Sequence, residues 1–469
     1  MLKTVFKHSA IYGLAPHLPK IASFITLPII TKHLTPLDYG VSGLISAYVG
    51  AIGVFSTLGL RLRLINSFYK HPNWYPFVWR QISGFLFFWN IPFALATAVL
   101  IYFAVPQQAM HNVWEIIALN VGALLAFGRA SLLGNNYFQL TKQPTKVVSR
   151  SIAAGLISIG LNVYFIAELK MGYMGWFWST FLSSIVTNGA YWYVINYKLG
   201  FKPIFNFKRR FIKDCLKVSL PSVPHYYSSY LLDASDRIVM NVLNIPAHDI
   251  GRYNSAYNFG SYGKTLANAF GIAVGPFYQE NYKNKHYILC RNLIFNIQII
   301  FLSGTFLLCL FLKEVFQVLI KNAELAAVYP LAIIIIMGLN YRPMYIGIGM
   351  AVMYNEKNRN LWQVTLGAGI LSVFLNLIFI PLYGYFTAAV VTFVTYMIMG
   401  FALYAAPAYR SLLHVNYKPI FWLTLILFAT SSVYLLKDIP FLFKISISAP
   451  VLVLLFLATR RFRTTQRKK

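Results

Sequence analysis

Apolar stretches of about 20 residues, long enough to cross a bilayer core as a helix, recur along the whole chain. Short polar segments separate them. This pattern predicts an all-α polytopic membrane protein with about fourteen transmembrane helices. The predicted spans cover residues 10–31, 40–60, 81–104, 113–138, 151–168, 174–196, 218–243, 251–276, 292–312, 328–352, 362–380, 386–406, 419–436 and 445–459.

Composition and charge agree with this class and orient the chain. Of 469 residues, 58% are hydrophobic and only 11% are charged, which excludes an ordinary soluble domain. If the N-terminus is cytoplasmic, the cytoplasmic segments hold 29 basic residues. The outside segments hold only Lys32, Lys170, Lys313, Lys321, Lys437 and Lys444. Because cytoplasmic loops are enriched in Lys and Arg, both termini are predicted to be cytoplasmic. The net charge of +29 then faces anionic membrane lipids, and nucleic acid is not needed to explain it.

An internal repeat divides most of the chain into two halves. The sequence PLDYG at 36–40 has an echo, PAHDIG, at 246–251, and Asn162 before Gly172 is echoed by Asn376 before Gly384. The separations are nearly constant, and six helices per half give parallel repeats. We therefore predict one six-helix lobe at 1–200 and a second at 201–410. Two further helices and a basic cytoplasmic tail follow at 411–469. Carriers built from such halves bind substrate between them and work by alternating access.

Two predicted spans carry polar side chains along one helical face. Residues three and four positions apart share a face of a helix. Such a face does not point at lipid, so it is expected to line the protein interior or a watery cavity. The first span, 218–243, carries Ser222, Tyr226, Ser229, Asp233 and Asp236, with Arg237 adjoining. The second, 251–276, carries Asn254, Asn258, Ser261, Thr265 and Asn268, flanked by Tyr257 and Lys264.

Basic residues outnumber acidic residues within the predicted spans. Away from the span ends, the acids are Asp233 and Asp236. The bases are Lys20, Arg129, Arg237, Arg252, Lys264 and Arg342. A charge at mid-bilayer costs a few kcal/mol or more, so it is kept where water or a counter-ion meets it. A cation-rich cavity favours an anionic substrate. Alternatively, Asp236 pairs with Arg237 or Arg252 to lock helices, and Arg129 and Arg252 extend to the interface.

The sequence contains none of the catalytic or metal-binding motifs considered. HExxH and GxSxG are absent, and no outside loop is large enough for a catalytic domain. The cysteines Cys215, Cys290 and Cys309 have no metal-ligand spacing and are expected to be packing residues. We therefore predict a carrier rather than an enzyme, without catalytic residues, metal or cofactor.

Three segments resemble the polysaccharide-transporter branch of the multidrug/oligosaccharidyl-lipid/polysaccharide exporter superfamily, which includes the O-antigen flippases. The first is TLPIITKHLTPLDYG at 26–40. The second is LLDASDR at 231–237, followed by GRY at 251–253. The third is NLIFIPLYG at 376–384, followed by Ala388 and Ala389. They are spread along both halves of the chain.

The resemblance implies a V-shaped carrier of two lobes in the bacterial inner membrane. Its expected substrate is an undecaprenyl-pyrophosphate-linked oligosaccharide, such as an O-antigen unit of lipopolysaccharide, moved from the cytoplasmic to the periplasmic leaflet. Flippases of this kind have a cationic lumen. The expected lumen residues here are Lys20, Lys264, Arg342, Arg237, Tyr226, Tyr257 and Asn258, with Asp233 and Asp236 as candidates for ion coupling. A polysaccharide polymerase and a chain-length regulator are the expected partners.

Three other functions remain open from the sequence. A cation-coupled multidrug exporter of the same fold would need acids in its cavity, which the balance of in-span charges disfavours. A membrane oligosaccharide polymerase or ligase would need a large outside loop. A lipid II flippase is a close variant of the favoured function.

Overall fold

The computed structural model describes residues 18–127, 130–355 and 361–453. Helices account for nearly all of the regular structure, and no strand occurs in these three ranges. The helices of the first part are α1 (Leu18–Ile30), α2 (Pro36–Gly53), α3 (Arg61–Lys70), α4 (Tyr75–Ala104), α5 (Val113–Phe127), α6 (Ala130–Leu140), α7 (Pro144–Asn162), α8 (Tyr173–Tyr193), α9 (Arg209–Ser219), α10 (Val223–Val242) and α11 (Ala247–Lys283). Those of the second part are α12 (Tyr287–Leu310), α13 (Leu312–Leu319), α14 (Ala323–Ala326), α15 (Tyr329–Gly338), α16 (Arg342–Tyr354), α17 (Leu361–Tyr383), α18 (Thr387–Ala405), α19 (Pro407–Arg410), α20 (Pro419–Leu436) and α21 (Phe441–Val453).

The prediction of an all-α polytopic membrane protein is confirmed. Within the described ranges, nine helical segments are long and apolar enough to cross a membrane. The more polar helices α8, α10 and α11 also have enough residues to span. The shorter helices α1 and α21 coincide with the first and last predicted spans. Each predicted span therefore contains helix where the structure describes it, and residues 10–17, 128–129 and 454–459 of the predicted spans lie outside the described residues.

Two helices lie in segments that the hydropathy pattern assigned to cytoplasmic loops. They are α3 and α9. In α9, Ile212 and Cys215 are buried whereas Arg209 and Arg210 are exposed. A helix with one narrow apolar face and many charges has low mean hydropathy, so a search for spans overlooks it.

The helices form two compact units. The first contains residues 18–241 and Pro246–Gly251, and the second contains Val242–Ile245 and residues 252–453. In the first unit, α8 packs against α5 and α7, and α4 packs against α2 and α5. In the second, α18 packs against α15, α16 and α17. The lobe boundary predicted at residue 200 from the repeat differs from the division into these units, and it stays a prediction.

Residues at equivalent positions of the repeat make equivalent close contacts. A Cβ added to Gly40 would lie 1.9 Å from the carbonyl oxygen of Ala247. A Cβ added to Gly251 would lie 1.7 Å from the carbonyl oxygen of Pro36. Thus the first turn of α11 crosses α2 so closely that only glycine fits at either position.

The second echo of the repeat is also visible in the backbone. Gly172 and Gly384 both have positive φ, at 56° and 79°. At the first of these turns, Asp38 Oδ1 accepts a hydrogen bond of 2.8 Å from the backbone N–H of Tyr173. Oδ2 of Asp38 accepts 2.7 Å bonds from the N–H and hydroxyl of Thr35. The acid of the PLDYG sequence therefore caps α2 and joins it to the start of α8.

Ion pairs join the segment around the last two described helices to the rest of the second unit. Lys444 is fully buried and donates to Glu314 at 2.7 Å. Lys313 donates to Asp438 at 2.8 Å, and the hydroxyl of Tyr329 donates to the same carboxylate at 2.6 Å. Lys437 lies 3.6 Å from the second oxygen of Asp438. Three of the six basic residues predicted to face outside thus have acidic partners, which reduces the outside positive charge further.

Candidate functional site

The long helix α11 supplies the polar face on which the site is built. Its 37 residues would extend about 55 Å at 1.5 Å per residue, longer than a bilayer core is thick. Asn258 and Asn268 are exposed, Ser261 and Thr265 are half-buried, and Asn254 is buried. The predicted stripe is therefore open along most of its length rather than covered by neighbouring helices.

Small residues fix which side of α11 is turned away from this polar face. A Cβ at Gly260 would lie 2.5 Å from Ile335 of α15, and one at Gly271 would lie 3.2 Å from Ile346 of α16. Such residues let two helix backbones approach closely inside a membrane. The close packing on α15 and α16 leaves the amide side chains of α11 on the uncovered side.

Arg342 is brought to α11 by a break in the neighbouring helix. Helix α15 ends at Gly338, a 3₁₀ turn covers Leu339–Tyr341, and α16 begins at Arg342. The guanidinium lies 5.5 Å from the centre of the Tyr341 ring, and Nη1 donates a hydrogen bond to Oδ1 of Asn268. The break therefore directs a half-buried cation onto the polar stripe of α11.

A buried amide network holds this helix break. Asn340 is fully buried and its side-chain amide donates to the hydroxyl of Thr305 at 3.0 Å. Its backbone carbonyl accepts a 3.0 Å bond from the side-chain amide of Gln298. A 3₁₀ turn inside a spanning segment leaves backbone groups that need such partners. Helix α12 supplies them, and thereby fixes the position of Arg342.

Lys264 shares a surface with Arg342. It precedes Asn268 by four residues, which places both on the same side of α11. Its side chain is half-buried. Since Arg342 contacts Asn268, two of the predicted lumen cations lie along one polar face of the second unit.

The other two candidates on α11 differ from each other. Asn258 is exposed on the polar face, whereas Tyr257 is 8% exposed. The hydroxyl of Tyr257 lies 3.4 Å from that of Tyr396 on α18. Tyr253, one turn earlier, similarly approaches Thr392 at 3.4 Å. Tyr257 therefore packs between α11 and α18.

Four of the five candidates of the first unit lie on α10. Asp236 and Arg237 are 3% and 8% exposed, and Arg237 Nε lies 3.4 Å from Oδ1 of Asp236. Nη2 of Arg237 also donates to the carbonyl oxygen of Asp233 at 2.6 Å. Tyr226 is exposed, and Asp233 is half-buried. The alternative expectation, an internal ion pair between Asp236 and Arg237, therefore occurs in the structure.

Three basic residues of the predicted spans remain: Lys20, Arg129 and Arg252. Lys20 lies in α1, but its side chain is outside the described residues, and so is all of Arg129. Arg252 stacks its guanidinium 5.8 Å from the centre of the Tyr385 ring. The nine site candidates thus belong to different units. Lys20, Tyr226, Asp233, Asp236 and Arg237 belong to the first, and Tyr257, Asn258, Lys264 and Arg342 to the second.

Sequence reasoning placed Asn268 on the polar face but missed its contact with Arg342. It also missed Gln298, Thr305 and Asn340 as supports of the helix break. The one available signal was Asn340 itself, an amide that interrupts an apolar run and precedes a Tyr-Arg-Pro sequence. Across the three described ranges, no group of three or more His, Cys, Asp or Glu side chains is arranged to hold a metal ion. All three cysteines are buried, as expected for packing residues.

These features define a multi-pass, all-α membrane protein with a cation-bearing polar face inside its second unit. Known structures share the fold. The chain is similar to lipid II flippase MurJ in an inward closed conformation, with a TM-score of 0.72 and 14% identity over 97% of this chain and 99% of that chain. It is also similar to an outward-facing multidrug resistance MATE family transporter of the MOP superfamily. That match has a TM-score of 0.56 and 16% identity over 88% of this chain and 97% of the other.

The sequence itself places the protein in a family. Residues 5–281, more than half of the chain, match the model of the family described as polysaccharide biosynthesis protein. The chain therefore belongs to the polysaccharide biosynthesis protein family. No curated protein sequence matches it.

Proposed function

We propose that this protein is a flippase for an undecaprenyl-pyrophosphate-linked oligosaccharide, an O-antigen or similar surface polysaccharide repeat unit. The glycolipid moves from the cytoplasmic to the periplasmic leaflet of the bacterial inner membrane by alternating access. The observation that carries the proposal is the pairing of Arg342 with Asn268 on the face that also holds Lys264. Membership of a polysaccharide biosynthesis family supports the glycan part of the substrate.

The charge of this face suits a pyrophosphate. A charge inside a membrane protein is expensive unless water or an opposite charge meets it. Lys264 and Arg342 supply cations, and the amides of Asn258 and Asn268 supply hydrogen-bond donors. Arg342 is held by Asn268, so its fork of donors is oriented before the anion arrives. The exposed Tyr226 of α10 is proposed to contact the glycan.

The first-unit ion pair has a different proposed role. Arg237 and Asp236 are mutually neutralised and buried, so they are less suited to direct contact with substrate. We propose that Asp233 and Asp236 take part in ion coupling, because an acid beside a cation can change protonation when its surroundings change. Lys20 and Tyr257 remain proposed members of the lumen. The proposed partners are a polysaccharide polymerase, a chain-length regulator and anionic membrane lipids.

The second candidate function is a cation-coupled multidrug exporter, which the structural likeness to a MATE transporter favours. An exporter of cationic drugs needs acids in its cavity. Among the described residues of the second unit, the acids Glu280, Glu314, Glu324 and Asp438 lie near helix ends or in a turn. The polar face of α11 carries Lys264 and no acid over residues 254–268. The balance of charge therefore favours an anionic substrate.

Surface glycan in cells tests the proposal. Cells that lack this protein should lose the surface polysaccharide and regain it with the wild-type chain. Lys264→Ala and Arg342→Ala should fail to restore it while accumulating normally in the membrane. Lys283→Ala, which removes an exposed base at the end of the same helix, is the matched control and should restore it. Full restoration by both lumen variants would refute a cationic site, and dye export without any glycan phenotype would favour the drug exporter.

A further inference from the structure

A small basic pocket lies in the first unit, and no residue of α10 or α11 lines it. Its volume is about 170 Å³. Its lining includes Tyr137 and Phe138 of α6, Gln143 just before α7, Lys146 and Arg150 of α7, and Lys198 after α8. Ligand pockets for drug-sized molecules usually have about 300–1,000 Å³, so this one suits a single charged group.

The aromatic rings beneath Arg150 are buried. Phe138 and Tyr191 are each 2% exposed and belong to one buried cluster with Val147. Arg150 lies over both rings, 4.9 Å from the centre of Phe138 and 5.3 Å from that of Tyr191. Nη1 of Arg150 also donates to the carbonyl oxygen of Lys146 at 2.6 Å. The guanidinium is therefore oriented before any ligand binds, which favours planar recognition of an oxyanion.

All the charged side chains that line the pocket are basic. Lys146 and Lys198 are exposed and Arg150 is half-buried. Within the described part of the chain, none of these three residues forms an ion pair. Lys146 instead lies over the ring of Phe138, and Lys198 over that of Tyr193. Three cations around one small cavity favour an anion with more than one negative charge.

Neighbouring aromatic residues indicate the depth of the pocket in the membrane. Trp192 and Tyr193 end α8, and Tyr197 follows it. All three are exposed, and the rings of Tyr193 and Tyr197 stack with their centres 5.7 Å apart. Exposed Trp and Tyr are typical of the headgroup level of a bilayer. The positive-inside rule assigns this end of the helices to the cytoplasmic side. Basic pockets between spanning helices on that side bind phosphate-bearing lipid headgroups.

We propose that the pocket of Lys146, Arg150 and Lys198 binds the phosphate group of an anionic ligand, separately from the site on α11. A lipid headgroup and a soluble phosphate share this chemistry, and the position beside exposed aromatic residues favours the lipid. The proposal does not depend on flippase activity, because binding is measured without transport.

Binding by the full-length protein in detergent tests the proposal. Phosphatidylglycerol and phosphatidylcholine are titrated and retained lipid is counted by native mass spectrometry, and inorganic pyrophosphate is titrated by calorimetry. The variants are Lys146→Gln/Arg150→Gln/Lys198→Gln and the milder Lys146→Gln/Lys198→Gln, which changes only exposed side chains. The matched control, Lys142→Gln/Lys202→Gln/Lys208→Gln, removes three exposed bases from the same segments but none from the pocket.

A basic residue near an anionic surface is worth about fivefold in affinity, so the triple pocket variant should bind phosphatidylglycerol about a hundredfold more weakly. The double variant should bind it roughly 25-fold more weakly, and the control should lose much less. Pyrophosphate binding with the same dependence on the pocket would support a soluble ligand for the same site. Equal affinity of the pocket variants and the control for both probes would overturn the proposal.

Discussion

At the scale of single residues, the contact between Arg342 and Asn268 explains how a cation is kept inside an apolar chain. Arg342 could be singled out from the sequence because it interrupts an apolar segment. Its partner could not be singled out, since Asn268 is one of three asparagines on the polar face and lies 74 residues away. A sequence pattern shows which residues share one face of a helix. It does not identify which side chain of a neighbouring helix contacts that face.

The partner of Arg342 gives a graded prediction. Arg342→Lys keeps the charge but loses the planar fork that Asn268 orients, so the initial transport rate should fall about tenfold. Asn268→Ala should have an effect of similar size, and Arg342→Gln should abolish transport. Initial rates at equal protein level check the order of these effects. An unchanged transport rate in Asn268→Ala would show that Asn268 does not contribute to the site.

Asp438 gives a prediction on pH. Hydrogen bonds from Lys313 and Tyr329 lower the pKa of this turn carboxyl to about 2. Because the pKa in the folded protein lies below the usual value, the stabilisation is present above about pH 4 and is lost as pH falls toward 2. The group is half exposed, so solvent screening limits the contribution to about 1 kcal/mol or less.

Thermal unfolding of detergent-solubilised protein between pH 2 and pH 7 measures this contribution. Asp438→Asn should unfold at a slightly lower temperature than wild type at pH 7, and the difference should vanish toward pH 2. Glu280→Gln, which changes an exposed acid, is the control and should follow the wild type. A difference that grows as pH falls would have the wrong sign for this explanation.

At the scale of elements, hydropathy predicted the long apolar helices of the described ranges but not the shorter features that shape the site. The hydropathy pattern predicts loops at the amphipathic helices α3 and α9, because their charges lower the mean hydropathy. The break between α15 and α16 was hidden because both sides of it are apolar. The buried network of Gln298, Thr305 and Asn340 that holds it depends on tertiary packing, which a window of sequence does not contain.

The crossing of α2 and α11 predicts a sharp contrast between two glycines of one helix. Gly40→Ala would place a Cβ 1.9 Å from the carbonyl oxygen of Ala247, whereas nothing lies within 4 Å of a Cβ at Gly53. Overpacking against backbone costs about 3 kcal/mol or more, so Gly40→Ala should unfold at much lower temperature or fail to accumulate. Gly53→Ala should be neutral or slightly stabilising, since Ala favours helix by up to about 1 kcal/mol.

The melting temperature and the membrane yield of the two variants test this prediction. Gly251→Ala, at the equivalent repeat position, should behave like Gly40→Ala because its Cβ would meet the carbonyl oxygen of Pro36. Equal stability of Gly40→Ala and Gly53→Ala would contradict the close crossing.

At the scale of the whole molecule, the distribution of charge predicts the orientation in the membrane. Lys283 is assigned to the cytoplasm and Lys321 to the periplasm, and both are exposed. The three natural cysteines are buried, and burial raises the pKa of the Cys215 thiol, so they should react slowly. The wild-type chain is thus a suitable background for labelling.

Single cysteines placed at these two positions test the orientation. In intact spheroplasts, a membrane-impermeant maleimide should label Lys321→Cys, and it should label Lys283→Cys only after lysis. The reverse pattern would invert the topology and the proposed direction of transport. The pattern also fixes the side on which the pocket of Lys146, Arg150 and Lys198 opens.

The central claim is that this protein moves a pyrophosphate-linked glycolipid and that the face of Lys264 and Arg342 recognises its charge. The most direct measurement uses purified protein in liposomes, with a fluorescent polyprenyl-pyrophosphate oligosaccharide in one leaflet and a quencher outside. We predict protein-dependent movement to the other leaflet, retained in Lys283→Gln and lost in Lys264→Gln and Arg342→Gln. Movement at the wild-type rate in both lumen variants, or uptake of a cationic dye without movement of the glycolipid, would contradict the claim.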